Sequence, residues 1–216
     1  MMKGSTIAKA LAVSASAVLA APSLSARDDI TPITVKGNAF FKGDTRFYMR
    51  GVDYQPGGSS DLADPIADVD GCKRDVEKFK ALGLNTIRVY SVDNSKDHDE
   101  CMNLLADAGI YLVLDVNTPL YSINREDPAP SYNDVYLQYI FATVDKFAKY
   151  KNTLAFFSGN EVINDGPSSV TAPYVKAVTR DLRNYIRARN YRKIPVGYSA
   201  VSLTLQDNWN HDTNEK

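Results

Sequence analysis

The run Phe156-Phe157-Ser158-Gly159-Asn160-Glu161 is apolar until it ends in an amide and a carboxylate. A carboxylic acid held at a strand end, in apolar or negatively charged surroundings, keeps its proton near neutral pH and can protonate a leaving oxygen. Glu161 is therefore the candidate general acid, with Asn160 placed to bond a substrate hydroxyl beside the bond that breaks. The alternative for this pair is a surface loop after a buried strand. Asp115 closes the run Ile110-Tyr111-Leu112-Val113-Leu114 in the same way. It is placed to raise the acid's pKa or hold a substrate hydroxyl, or else it is a turn aspartate ahead of Asn117-Thr118-Pro119. Tyr54 and Tyr90 end two further runs and would line the same face. Arg88 and Arg50 lie inside apolar runs, and an arginine buried in a strand needs an acidic partner.

Other chemistries find less support. The chain has 25 basic and 26 acidic residues, and no basic cluster interleaved with aromatics marks a nucleic-acid groove. Its two histidines, His98 and His211, have no second histidine at ligand spacing, so no metal site is expected. No Gly-x-Gly-x-x-Gly follows the first strand, and no cofactor is expected. The 13 tyrosines suit a carbohydrate surface, where rings stack on sugar faces, and equally suit an ordinary core. Cys72 and Cys101 form an even pair, which in a secreted chain fits one bridge, with two buried thiols as the alternative. Such a bridge would close a loop of about 30 residues and add about 3 to 4 kcal/mol.

The elements that must position these residues follow a regular order. Lys3 and Lys9 flank a small-residue apolar stretch, Ala10 to Ala21, which reads as a secretory signal with cleavage between Ala20 and Ala26. Residues 1–26 are accordingly set aside as a processing region. Lys42-Gly43-Asp44 is a turn between two alternating flanks, and the second, Arg46 to Tyr54, reads as the first strand of the main sheet. A helix from Cys72 to Leu82 stops at Gly83, and a strand covers Asn85 to Tyr90. A helix from Asp97 or His98 to Ala108 stops at Gly109, and Ile110 to Asp115 is the next strand. The excursion from Val116 to Asn133 is too rich in proline to be helix. Helix 135–150, strand 154–157, helix 173–189 and strand 193–198 complete the alternation. Continuously apolar strands separated by helices predict a parallel sheet covered by helices. Polar residues at the strand ends favour an α/β fold of (β/α)8 TIM-barrel type, of which this chain supplies four βα units and a fifth strand.

These runs together resemble the fungal β-1,3-glucanosyltransferases of glycoside hydrolase family seventy-two. The resemblance rests on Tyr48-Met49-Arg50-Gly51-Val52-Asp53-Tyr54-Gln55-Pro56-Gly57-Gly58, Gly83-Leu84-Asn85-Thr86-Ile87-Arg88-Val89-Tyr90-Ser91-Val92 and Ala108 to Asp115. Ser122-Ile123-Asn124-Arg125, Phe157 to Val162 and Arg192-Lys193-Ile194-Pro195-Val196-Gly197-Tyr198-Ser199-Ala200 extend it. It implies that residues 27–200 are the N-terminal portion of a catalytic barrel. Glu161 would be the acid/base, and Gln55, Tyr54, Tyr90, Asp115 and Asn160 would contact β-1,3-glucan donor and acceptor chains. Cys72 and Cys101 would form the family's first disulfide.

The reaction implied is retaining cleavage, with transfer of the new reducing end to the non-reducing end of a second glucan. Retention requires two carboxyl groups about 5 to 5.5 Å apart. The family's nucleophile glutamate lies on a later strand that this sequence does not contain. Residues 201–216 read as an atypical tail, so the expectation for this chain is an inactive fragment. Noncatalytic glucan binding, or β-glucan hydrolysis in a longer form, are the alternatives. The resemblance also implies cell-surface delivery. Attachment to the membrane would come only through a lipid anchor of full-length relatives, since Asn208 to Lys216 carry no such signal.

Overall fold

The fold begins with an antiparallel sheet of three short strands, β1 (Ile33–Lys36), β2 (Ala39–Lys42) and β3 (Thr45–Phe47), ordered β1-β2-β3. The structure is a computed structural model describing residues 30–58 and 62–201; the signal-peptide reading and residues 202–216 of the tail lie outside it. Five parallel strands follow, hydrogen-bonded in chain order: β4 (Gly51–Asp53), β5 (Thr86–Val89), β6 (Tyr111–Asp115), β7 (Thr153–Asn160) and β8 (Val196–Ser199). The helices α1 (Val69–Ala81), α2 (Asp99–Asp107), α4 (Asp134–Phe147) and α5 (Ala172–Ala188) connect them, as the alternation of runs predicts.

The flank before Lys42 turns at Gly37-Asn38 into the antiparallel pair β1 and β2 rather than forming one strand, and two further elements differ from the sequence reading. Arg46 to Tyr54 is not one strand. It breaks at Tyr48-Met49-Arg50, and only Gly51–Asp53 enters the parallel sheet. Asn85 makes the break. Its side chain accepts from the Arg50 amide at 2.8 Å and donates to the Tyr48 carbonyl at 2.9 Å, replacing ladder bonds where the chain crosses between sheets. Gly51 then pairs so closely with Thr86 that a Cβ would lie 2.5 Å from its carbonyl oxygen. The proline-rich excursion does hold one turn of helix, α3 (Pro128–Ser131). Its two prolines, Pro128 and Pro130, sit in the first turn, where a missing N–H costs no hydrogen bond.

Strand alternation sorts the side chains to two faces. Ile87, Val89, Leu112, Leu114 and Phe156 pack against the helical layer, meeting Val76, Leu105, Val144 and Leu182. Tyr111, Val113 and Ala155 point the other way and pack with Ile33, Phe40 and Phe47 of the first sheet. Tyr111 meets Phe47 edge-on at 5.2 Å, and its hydroxyl donates to the Thr31 carbonyl at 2.6 Å. This contact covers the face opposite the helices at the amino ends of the strands. The carboxyl ends are left to polar residues.

Candidate active site

Arg88, on the inner face of β5, organises those carboxyl ends. Its guanidinium forks onto Asp115, with Nε donating to Oδ1 at 3.0 Å and Nη2 to Oδ2 at 2.9 Å. Nη2 also donates to Asn160 Oδ1 at 2.9 Å, so one arginine ties together the ends of β6 and β7. The same group lies 4.2 Å from the Tyr90 ring centroid and 4.8 Å from that of Phe157. A planar, delocalised cation is suited to such a sandwich in a way that lysine is not. Parallel register explains the meeting, because Arg88 pairs with Val113 and Asp115 with Phe157.

Asp115 is 1% exposed. Burial pushes its carboxyl up to about 6, against the hydrogen bonds and charge of Arg88, which pull it down. Burial also draws Arg88 down, but the bonds to Asp115 outweigh it and hold the guanidinium above its usual range. Burial raises the Tyr90 hydroxyl, helped by a hydrogen bond with Asp53.

Glu161 follows directly on β7, with φ at 48°, in the left-handed region that side chains seldom adopt. Its backbone is fixed from both sides. The amide donates to the Ser199 carbonyl at 2.8 Å, and the carbonyl accepts from Arg125 Nη2 at 2.8 Å. Among the described residues its exposed carboxylate has no hydrogen-bond or ion-pair partner. Gln55, Tyr90, Asp115, Asn160 and Glu161 line one cleft with a volume of about 430 Å³. Five of the six glucan-contact and acid/base candidates are thus brought together.

Tyr54 is not. Its backbone extends the ladder, donating to the Arg88 carbonyl at 2.7 Å, but its side chain turns to the helical layer. There the ring packs edge-on against Phe79 at 5.1 Å, and the hydroxyl donates to Asp75 at 2.9 Å. Arg50 is likewise away from the cleft. It is exposed, and its Nε donates to the Gly83 carbonyl rather than to a carboxylate.

Sequence reading gave no role to Arg125, Asn117 or Tyr136, all of which line the cleft. Arg125 stands in the quoted Ser122–Arg125 run, so a signal existed for it. Tyr136 shows only a helix-face pattern. Cys72 and Cys101 are joined by a disulfide, Cα atoms 5.8 Å apart, which bolts α1 to α2. Among the described residues, no group of three or more His, Cys, Asp or Glu is placed to hold a metal, and no helix is long and apolar enough to cross a membrane.

Comparison with known proteins follows the same lines. The family profile described as Glucanosyltransferase, glycoside hydrolase family 72, matches residues 22–208, wider at both ends than the span 27–200 that the resemblance implies. The 1,3-beta-glucanosyltransferase gel1 of Aspergillus fumigatus is 83% identical over 202 residues, covering 94% of this chain and 45% of that protein. The 1,3-beta-glucanosyltransferase GAS5 of Saccharomyces cerevisiae is 60% identical over 190 residues, covering 87% of this chain and 39% of the relative. The structure of Saccharomyces cerevisiae Gas2p in complex with laminaritriose and laminaritetraose superposes with a TM-score of 0.77 at 39% identity, covering 83% of this chain and 42% of that one. The chain therefore spans less than half the length of the curated relatives it matches. With its profile match over most of the sequence and these identities, the chain belongs to the glucanosyltransferase family, glycoside hydrolase family seventy-two.

Proposed function

We propose that the cleft is the acid/base half of a retaining β-1,3-glucan transfer site. The observation that carries this reading is the Arg88–Asp115–Asn160 network beside an unpartnered Glu161 carboxylate. Glu161 donates a proton to the leaving glycosidic oxygen while a nucleophile carboxylate that is not among the described residues takes the glycosyl group. Glu161 then withdraws the proton of the acceptor's 3-hydroxyl as that oxygen displaces the carboxylate. Asn160 and Asp115 hold glucose hydroxyls next to that bond. Arg88 locks both of them, so neither needs to reorganise when glucan arrives. Tyr90 and Gln55 line the path of the chain. The five-stranded sheet is the first part of a (β/α)8 barrel, and this barrel works at the cell surface.

A second reading concerns this chain alone, and the geometry of Asp115 favours it. Asp115 and Glu161 are the acidic residues lining the cleft, and Asp115 is held by both oxygens on Arg88. A carboxylate so held is a poor nucleophile. The 216-residue chain then binds β-1,3-glucan without breaking it.

Product analysis separates these readings. A chimera carrying residues 22–208 of this chain in place of the matching gel1 segment is incubated with reduced laminari-oligosaccharides. Longer products are expected, and Glu161→Gln lowers their rate by about 10²- to 10⁴-fold, the usual worth of general acid assistance. Unchanged turnover removes Glu161 from the role, and shorter products alone mean hydrolysis. The unextended chain is expected to bind laminaritetraose by calorimetry while leaving its length unchanged.

A further inference from the structure

We infer that Arg125 is a positioning residue for Glu161, holding the backbone turn that aims the acid/base carboxylate into the cleft. The inference rests on the acid/base reading of Glu161 and involves no contact between Arg125 and glucan. Glu161 leaves β7 by an irregular route. Phe157 pairs with Gly197 and Asn160 with Ser199, so three residue steps on β7 run against two on β8. The extra residue makes a bulge at Ser158-Gly159, and a bulge re-aims the side chains beside it. Glu161 then takes a left-handed φ of 48°, which is disfavoured for any residue with a Cβ.

Such a conformation persists only where the surroundings hold it from more than one side. The amide bond to the Ser199 carbonyl is one hold, and it is built with the sheet. The Arg125 bond to the Glu161 carbonyl is the other, and it comes from an exposed side chain on a separate loop. That loop is shaped to deliver it. Asn124 Oδ1 accepts from the Glu126 amide at 2.9 Å, closing an Asx turn around Arg125. The Asn124 amide donates to Ser131 Oγ at 2.9 Å, and Ser131 Oγ donates to the Pro128 carbonyl at 2.7 Å, so α3 braces the turn from behind. The Tyr132 hydroxyl ties the end of α3 to Asp181 on α5. The single helical turn in the proline-rich excursion thus fixes the stem from which Arg125 reaches Glu161.

Water could also serve a carbonyl at an exposed site. A water follows the carbonyl wherever it turns, whereas a guanidinium anchored by its loop does not. Arg125 therefore restricts the direction of the Glu161 peptide rather than merely satisfying it. Proton transfer needs the carboxyl within hydrogen-bond reach of the glycosidic oxygen, and a small misplacement costs rate. Loss of Arg125 should then fall on the chemical step and leave glucan affinity in place.

The test reads both links, from arginine to backbone and from backbone to rate. Amide hydrogen exchange is followed in the 216-residue chain and in its Arg125→Ala and Arg125→Lys variants. Arg125→Ala is expected to speed exchange at Glu161 about tenfold, the worth of one hydrogen bond to a charged group. Phe156, whose amide donates to the Pro195 carbonyl within the sheet, is expected to exchange as before. Arg125→Lys keeps a cationic donor and is expected to restore most of the protection. In the gel1 chimera, Arg125→Ala is expected to lower kcat about tenfold at nearly constant KM, and to add nothing once Glu161→Gln is present. Unchanged exchange at Glu161, or unchanged kcat, overturns the inference, because water then serves the carbonyl as well as Arg125 does. A raised KM at constant kcat overturns it and makes Arg125 a glucan contact. Faster exchange at Phe156 as well as Glu161 also overturns it, since the arginine then supports the sheet and not the turn. Turnover unaffected by Glu161→Gln overturns the acid/base reading and this inference with it, whereas the other adverse outcomes leave that reading standing.

Discussion

The Asp115 carboxyl lies between two opposing influences, burial and Arg88, and burial prevails, placing it at about 6. An unfolded aspartate titrates near 4. Between pH about 4 and 6 the folded chain thus holds a proton that the unfolded chain has released, and stability falls as pH rises through that window. Replacing Asp115 by Asn is expected to remove this downward slope. Urea unfolding at several pH values from 4 to 7 measures it, and parallel slopes for wild type and variant would refute the assignment. That Arg88 needs an acidic partner was legible in the sequence, because an arginine inside an apolar run requires one, but that the partner is Asp115 was not, since it depends on the register of β5 with β6. Nor was the misplacement of Tyr54. Its strand is only three residues long, and the break at Tyr48–Arg50 decides which face Tyr54 takes. The left-handed backbone of Glu161 was also invisible, because it depends on contacts to Ser199 and Arg125, both far away in sequence.

At the scale of elements, the βα order was readable because its punctuation is local. Gly83 and Gly109 both adopt positive φ directly after helices, as a C-terminal stop requires. Asp68 and Asn133 accept from amides in the first turns of α1 and α4. The disulfide adds a non-local tie between α1 and α2, which have Val76 and Leu105 in one core with Ile87 and Leu112. Closing its loop restricts the unfolded chain, and replacing both cysteines by serine is expected to lower stability by about 3 to 4 kcal/mol. Urea midpoints of the oxidised chain and the Cys72→Ser/Cys101→Ser variant provide the comparison. A loss below about 1 kcal/mol would mean that the helix contacts alone set this part of the fold. The one-turn helix α3 escaped sequence reading because proline content argues against long helices, not against a single turn begun by proline.

At the scale of the whole molecule, the five-stranded sheet has two edges among the described residues. Strands β4 and β8 each have one hydrogen-bonded neighbour among the described residues. Sequence reading could count the strands but could not show what their edges expose, since that depends on side chains gathered from distant segments. On the β4 side, Tyr48 is 67% exposed, Met49 48% and Val52 39%. Val52 alternates with Asp53, which lies 3.9 Å from Arg88, so Val52 points to the face that the helices cover elsewhere. An apolar edge with free backbone donors and acceptors is a template for another strand, and its nearest source in solution is a second copy of the chain. Sedimentation velocity over a range of concentrations is therefore expected to show reversible self-association. A lysine on this edge places charge where the second strand would pack, so Val52→Lys should shift the equilibrium toward monomer. The substitution is exposed, and the unfolding transition of dilute protein should change little. A chain that stays monomeric at every concentration, or a Val52→Lys variant that associates as strongly as the wild type, would show that this edge does not pair.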